Sequence, residues 1–127
     1  MEISVIIPVY NAAKFVEEAV ESALSQNETA EVILIEDGSQ DNSLAVCQEL
    51  VEKYDKVFFL QHPDGKNHGA GASRNLGIMY AKYDYVAFLD ADDYFLPGRF
   101  DTARKIFEEN ERVDGVYEAI QGCFDSE

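Results

Sequence analysis

The feature that most constrains this chain is an alternation. Four short runs rich in β-branched and aromatic residues, "ISVIIPV" (3–9), "EVILIE" (31–36), "VFFLQ" (57–61) and "YVAFL" (85–89), are each followed by apolar residues at helical spacing. Runs that are apolar at nearly every position suit strands covered on both faces, and strand–helix alternation builds a parallel sheet. The first helical pattern is Phe15, Val16, Ala19, Val20, Ala23 and Leu24, with Glu17, Glu18 and Glu21 opposite, and Asn11 is its predicted N-cap. Leu44, Cys47, Leu50, Val51 and Tyr54 mark a second helix, 72–82 a third, and Phe100, Ala103, Ile106 and Phe107 a fourth that Pro97 can open. "GVYEAI" (115–120) predicts a fifth strand of either direction. The fold class is therefore α/β: a three-layer α/β/α arrangement around a mainly parallel, Rossmann-like sheet. Right-handed crossovers give strand order 3-2-1-4, with the switch point between strands 1 and 4.

The length of 127 residues suits one domain around one core. The 25 acidic and 10 basic residues leave a formal charge of −15, which argues against nucleic acid or an anionic membrane surface as a partner. A phosphate ligand would need local help from a metal, a helix N-terminus or a placed arginine. The two cysteines, Cys47 and Cys123, form no CxxC and imply no disulfide framework; Cys47 reads as a buried thiol. No apolar run is long enough to span a bilayer, and "MEISVIIPVY" lacks the basic start of a signal peptide, so the sequence reads as cytoplasmic. The last predicted strand lies close to the final residue, as in a piece of something longer.

In an open α/β sheet, ligands bind beyond the carboxyl ends of the strands, at the switch point. Three polar clusters fall at such ends: Tyr10-Asn11, Asp37-Gly38-Ser39 and Asp90-Ala91-Asp92-Asp93. In extended backbone Asp90 and Asp92 point the same way. Two carboxylates on one side suit Mg²⁺ or Mn²⁺, whose remaining positions go to water and phosphate oxygens, which points to a metal-bound diphosphate. The plainer reading is a solvated acidic loop capping the helix at Pro97; the position at the end of a buried strand, facing Asp37, favours the metal. Arg74 opens the third helix, and its planar fork suits phosphate, a carboxylate or a base carbonyl. An ion pair with Asp37 or Asp90 is an equally good reading.

Other motifs fail. An EF-hand from Asp90 meets Tyr94 and Phe95 where an oxygen ligand and Gly belong; one from Asp37 meets Asn42 and Gln48. "GAGASR" (69–74) carries Arg74 where a dinucleotide fingerprint has Gly or Ala, and there is no P-loop. His62 and His68 lack ligand spacing and read as loop residues.

The blocks "SVIIPVYNAAKFVEEAVESALSQ", "VILIEDGSQDNS", "NHGAGASRNLGI" and "YVAFLDADDYFLPGRF", in this order and spacing, resemble the nucleotide-binding half of family 2 glycosyltransferases, which have the A-type (GT-A) fold. The match runs from Ile3 to Phe100. The resemblance implies transfer of a sugar from a nucleoside-diphosphate donor, of UDP or dTDP type, to the hydroxyl of a carbohydrate or lipid-linked acceptor. It implies Mn²⁺ or Mg²⁺ as cofactor, inversion at the anomeric carbon, and work in cell-envelope polysaccharide synthesis, in the cytoplasm or against the inner face of the membrane. Residue by residue, it sets Pro8, Val9, Tyr10 and Asn11 beside the nucleoside and Asp37 on the base. Arg74 lies near the nucleotide and the acidic motif, Asp90 faces the ribose or the metal, and Asp92 is the principal metal ligand. Asp93 is the third acid, which either orients the site or caps the next helix. The family's general base lies beyond 115–120, and Asp93 is the nearest catalytic substitute. Residues 1–127 then form a single nucleotide-sugar-binding domain cut from a longer glycosyltransferase and inactive alone. Two rivals are a sugar-nucleotide pyrophosphorylase and a non-catalytic nucleotide-binding or interaction module. The first would show a glycine-rich basic loop after strand one, where "VYNAAKF" has only Lys14. The second would show no metal-dependent nucleotide affinity.

Overall fold

Alternate residues of a strand face opposite layers, and β1 shows this directly in the computed structural model, which describes residues 1–109. Along β1 (Ile3–Val9), Ile3, Val5, Ile7 and Val9 join one apolar cluster and Ile6 another. The first cluster holds Val32 and Leu34 of β2 (Thr29–Glu36), Val16, Ala19, Val20 and Ala23 of α1 (Val16–Leu24), and Cys47 and Leu50 of α2 (Ser43–Lys53). The second joins Ile6 to Ile33 and Ile35, under Leu60 of β3 (Val57–Gln61) and Leu76 of α3 (Ala70–Tyr80). Two helices on one face and a third on the other make the expected three layers. β4 (Tyr85–Phe88) and α4 (Asp101–Glu109) complete the described elements. The predicted strand at 115–120 and Cys123 lie outside the described residues.

Every strand pairing is parallel and the order is β3-β2-β1-β4, as the alternation predicts. Val9 stands opposite Glu36, and Glu36 opposite Gln61, so the chain leaves three strands at one level, at Tyr10, Asp37 and His62. β4 stops lower, with Phe88 opposite Ile6; Leu89 N–H still donates to Ile6 O at 3.1 Å. Close packing of α3 depends on Gly77, where a Cβ would come within 2.5 Å of Ile6 Cγ2.

Five local expectations need correction. Asn11 does not cap α1. It sits at φ 50° and its Oδ1 accepts Gln40 N–H at 2.8 Å. The chain ahead of α1 is instead tied to the segment after β2: Asn11 N–H donates to Ser39 Oγ, Ala12 N–H to Ser43 Oγ and Ala13 N–H to Asp41 Oδ2, and α1 itself has no side-chain cap. Phe15 precedes the first helical residue and is half exposed rather than part of the buried stripe. The β4 strand is covered on one side only. Tyr85 and Ala87 pack on the large cluster, but Val86 and Phe88 are exposed, because α3 lies over β1 and β2. Finally, α3 starts at Ala70, two residues early, and Pro97 lies in a turn ahead of α4 rather than at its first position. No helix of the described residues is long and apolar enough to cross a membrane.

Candidate nucleotide and metal site

The carboxyl rim of the sheet is built around Asp37, a buried acid (2 % exposed) at the end of β2. A buried carboxylate must be answered by donors. Its Oδ2 accepts Asn67 Nδ2–H at 3.0 Å and Gly69 N–H at 3.1 Å; its Oδ1 accepts His68 N–H at 2.8 Å. His62 Nε2 lies 3.2 Å from Oδ1. The backbone N–H of Asp37 donates to Val9 O at 2.8 Å. Asp37 thus ties the exit of β2 to the loop 62–69. The loops cross at Gly38, whose φ is 68° and whose missing Cβ would lie 2.4 Å from Asn67 N. Only glycine permits both the positive φ and the approach. Glu36, also buried, shapes the same turn by accepting the N–H groups of Gly38 and Ser39.

The acids after β4 converge through a turn, not through extended backbone. The strand ends at Phe88, and Asp93 N–H donates to Asp90 O at 3.0 Å. Burial alternates through the turn: Leu89 and Ala91 sink into the large cluster, while Asp90 and Asp92 face outward. Asp93 is buried, and one carboxylate oxygen from each of the three acids lies within 4.8 Å of the others. Arg74 Nη2 stands 3.6 Å from Asp90 Oδ1, with both side chains partly exposed, so the ion-pair reading of Arg74 holds as a loose, solvent-screened contact. Behind the turn the backbone is fastened to α1. Phe95 N–H donates to Ser22 Oγ at 2.9 Å. Gln26 accepts Arg99 N–H and donates to Leu96 O, each at 3.0 Å.

Between the exit of β1 and this turn lies a cavity of about 340 Å³. Its walls include Pro8, Tyr10, Asn11, Asp37, Asp90 and Asp92, so the residues predicted to converge from three strand ends do share one cleft. Val9 does not face it, being fully buried in the core on the α1 side. Arg74 and Asp93 border the acid turn rather than the cavity itself. Sequence reasoning missed Phe15, Asn67 and Gly69 as wall residues, and His62 as the buried contact of Asp37. The donor set fits a hard cation. Mg²⁺ bonds oxygen at about 2.0–2.1 Å, so its ligands lie within roughly 4.2 Å of one another, a small side-chain rotation from the present spacing.

A sequence model of Glycosyl transferase family 2 matches residues 4–127. The chain belongs to glycosyl transferase family 2. Among its relatives, the glycosyltransferase YibD of Escherichia coli is 43 % identical over 102 residues, covering 80 % of this chain and 29 % of that one. The minor teichoic acid biosynthesis protein GgaB of Bacillus subtilis is 35 % identical over 112 residues, covering 86 % and 12 %. The crystal structure of S. aureus TarS 1–349 in complex with UDP-GlcNAc superposes with a TM-score of 0.72 at 28 % identity, over 94 % of this chain and 38 % of that one. The fold is accordingly that of the GT-A glycosyltransferases. The chain spans from 12 % to 44 % of the length of the curated relatives it matches.

Proposed function

We propose that this chain is the nucleotide-sugar-binding domain of a metal-dependent, inverting glycosyltransferase that draws a sugar from a UDP-type donor. The observation that carries the reading is the shared cleft: Asp37 on one wall, Asp90 and Asp92 on the other, with Tyr10 and Asn11 between. The complex of TarS with UDP-GlcNAc supports a uridine donor, and the role in teichoic acid biosynthesis named for GgaB supports an envelope-polymer acceptor.

Tyr10 and Phe15 are large aromatics left about half exposed at the cleft, as a planar base would require. Asp37, its carboxylate already answered by Asn67, His68 and Gly69, sets the wall that the base edge would meet. Asp92 and Asp90 would hold Mg²⁺ or Mn²⁺, and such an ion stabilises the negative charge that builds on a departing diphosphate. Arg74 lowers the repulsion at the acid turn and stands within reach of a phosphate oxygen. Asp93, buried at the back of the turn, positions it. The proton acceptor for the incoming hydroxyl comes from the part of the enzyme beyond this domain.

Calorimetric titration with UDP, with and without Mn²⁺, tests the reading on this chain and on Asp92→Ala. Binding should need the metal and weaken by at least about tenfold in the variant, the loss of one ligand-scale interaction. Equal heats in all four titrations would leave the non-catalytic module as the better description.

A further inference from the structure

The residue after β3, His62, is only 8 % exposed, although Pro63 to His68 around it are exposed. Its Nε2 lies 3.2 Å from Asp37 Oδ1 and 3.1 Å from Ser73 Oγ. One tautomer suits both neighbours. An unprotonated Nε2 would turn its lone pair on the carboxylate, whereas Nε2–H is attracted to both oxygens. The His68 ring covers His62 from outside, with centroids 4.5 Å apart, and is itself held by Asp64 at 2.8 Å.

The two neighbours belong to different arms of the cleft. Asp37 gathers Asn67, His68 and Gly69. Ser73 is buried in the first turn of α3, next to Arg74, whose guanidinium meets Asp90. We infer that His62 is a positioning residue of the nucleotide site: its buried ring, hydrogen-bonded to Ser73 and set 3.2 Å from the Asp37 carboxylate, holds that carboxylate against the start of α3 and so fixes the wall at 67–69 against the arm that carries Arg74. His62 acts through Asp37 and Ser73; the acid turn at Asp90–Asp93 does not depend on it. Its effect on ligand binding rests on the function proposed above; its effect on the loop does not.

His62→Phe keeps a ring of similar shape under His68 and removes the N–H; His62→Gln keeps a donor. Three measurements separate the outcomes: amide proton shifts of His68 and Gly69, calorimetric affinity for UDP with Mn²⁺, and Mn²⁺ affinity alone by electron paramagnetic resonance. In His62→Phe both amide resonances should move as their acceptor rotates, and UDP should bind about tenfold more weakly, as for loss of one buried hydrogen bond. Affinity for Mn²⁺ alone should stay unchanged, and His62→Gln should recover most of the UDP affinity. Unchanged amide shifts and UDP affinity in His62→Phe would overturn the inference, as would parallel loss of UDP and Mn²⁺ affinity in both variants. Should His62→Phe fail to fold, His62→Gln decides alone: near-parental shifts and affinity uphold the role, and a folded Gln variant with lost affinity refutes it. If the parent chain binds no UDP, the nucleotide reading fails while the amide shifts still decide what His62 does.

Discussion

Replacing Gln26 by Ala should loosen the backbone behind the acid turn. Gln26 is 4 % exposed and makes three contacts: Nε2–H donates to Ser22 O at 3.2 Å and Leu96 O at 3.0 Å, and Oε1 accepts Arg99 N–H at 3.0 Å. Ser22 O is served independently by the Ser25 hydroxyl at 2.8 Å, so its loss is small. Leu96 O and Arg99 N–H have these contacts from α1's end, and a protein group left without its partner costs about 1–3 kcal/mol. The segment 96–98 is exposed enough for water to reach, which sets each at the low end and the total near 2 kcal/mol. For a domain of this size that is a fall in Tm of about 10 °C. Thermal and urea melts by circular dichroism measure it, with Mn²⁺ affinity as a second readout, because the strap carries Asp92 and Asp93 at its other end. Gln26→Glu should be no better than Ala: it can still accept from Arg99, but it sets carboxylate oxygen against Leu96 O. A Gln26→Ala variant that melts with the parent and binds Mn²⁺ equally would refute the reasoning, and would assign the strap instead to the edge-to-face pair of Phe95 and Phe100, 5.3 Å apart.

Two other substitutions or treatments read the packing. Gly77→Ala forces a Cβ to 2.5 Å from Ile6 Cγ2; overpacking of this kind costs about 1–3 kcal/mol in urea melts, and Ile6→Val in the same chain should return part of it, a non-additivity that independent sites would not show. Cys47 is pushed up to about 12, first by burial and then by the charges of Glu36 and Asp41, so iodoacetamide at neutral pH should leave it unmodified in the folded chain and label it in urea. The sign for stability follows from the same shift. Between the ordinary thiol value of 9.0 and about 12 the unfolded chain ionises and the folded one does not, so this group leaves stability intact below that window and lowers it as pH rises through it.

The strand order, the three layers and the convergence of Asp37 with Asp90 and Asp92 are legible in the sequence because they follow from periodicity and handedness, which are properties of whole segments. What is not legible depends on partners distant along the chain. Asn11 has the chemistry of an N-cap, but α1 begins at Val16 without a side-chain cap, and Asn11 takes a left-handed conformation well ahead of that helix and receives Gln40 N–H instead. "YVAFL" looks covered on both faces, yet only Tyr85 and Ala87 find a layer to pack on. Extended backbone predicts that Asp90 and Asp92 converge; a tight turn achieves it. His62 carries no local mark at all. The one available hint is its place immediately after a strand, on the same rim as Tyr10 and Asp37.

The acid turn shows how a fold can set three carboxylates close together within a framework that is largely apolar. Arg74, 3.6 Å from Asp90 and exposed to screening solvent, adds only a weak contact. Much of what fixes the turn lies outside the carboxylates themselves. Leu89 and Ala91 anchor the turn from below, Phe95 and Phe100 bury the strap beyond it, and Ser22 and Gln26 fix its backbone to α1. Hydrophobic burial is indifferent to charge, so it can fix acids at a spacing that electrostatics alone would widen. A divalent cation arriving with a diphosphate would meet carboxylate oxygens already within 4.8 Å of one another. The spacing of such ligands would then be set largely during folding, leaving the binding step to neutralise them.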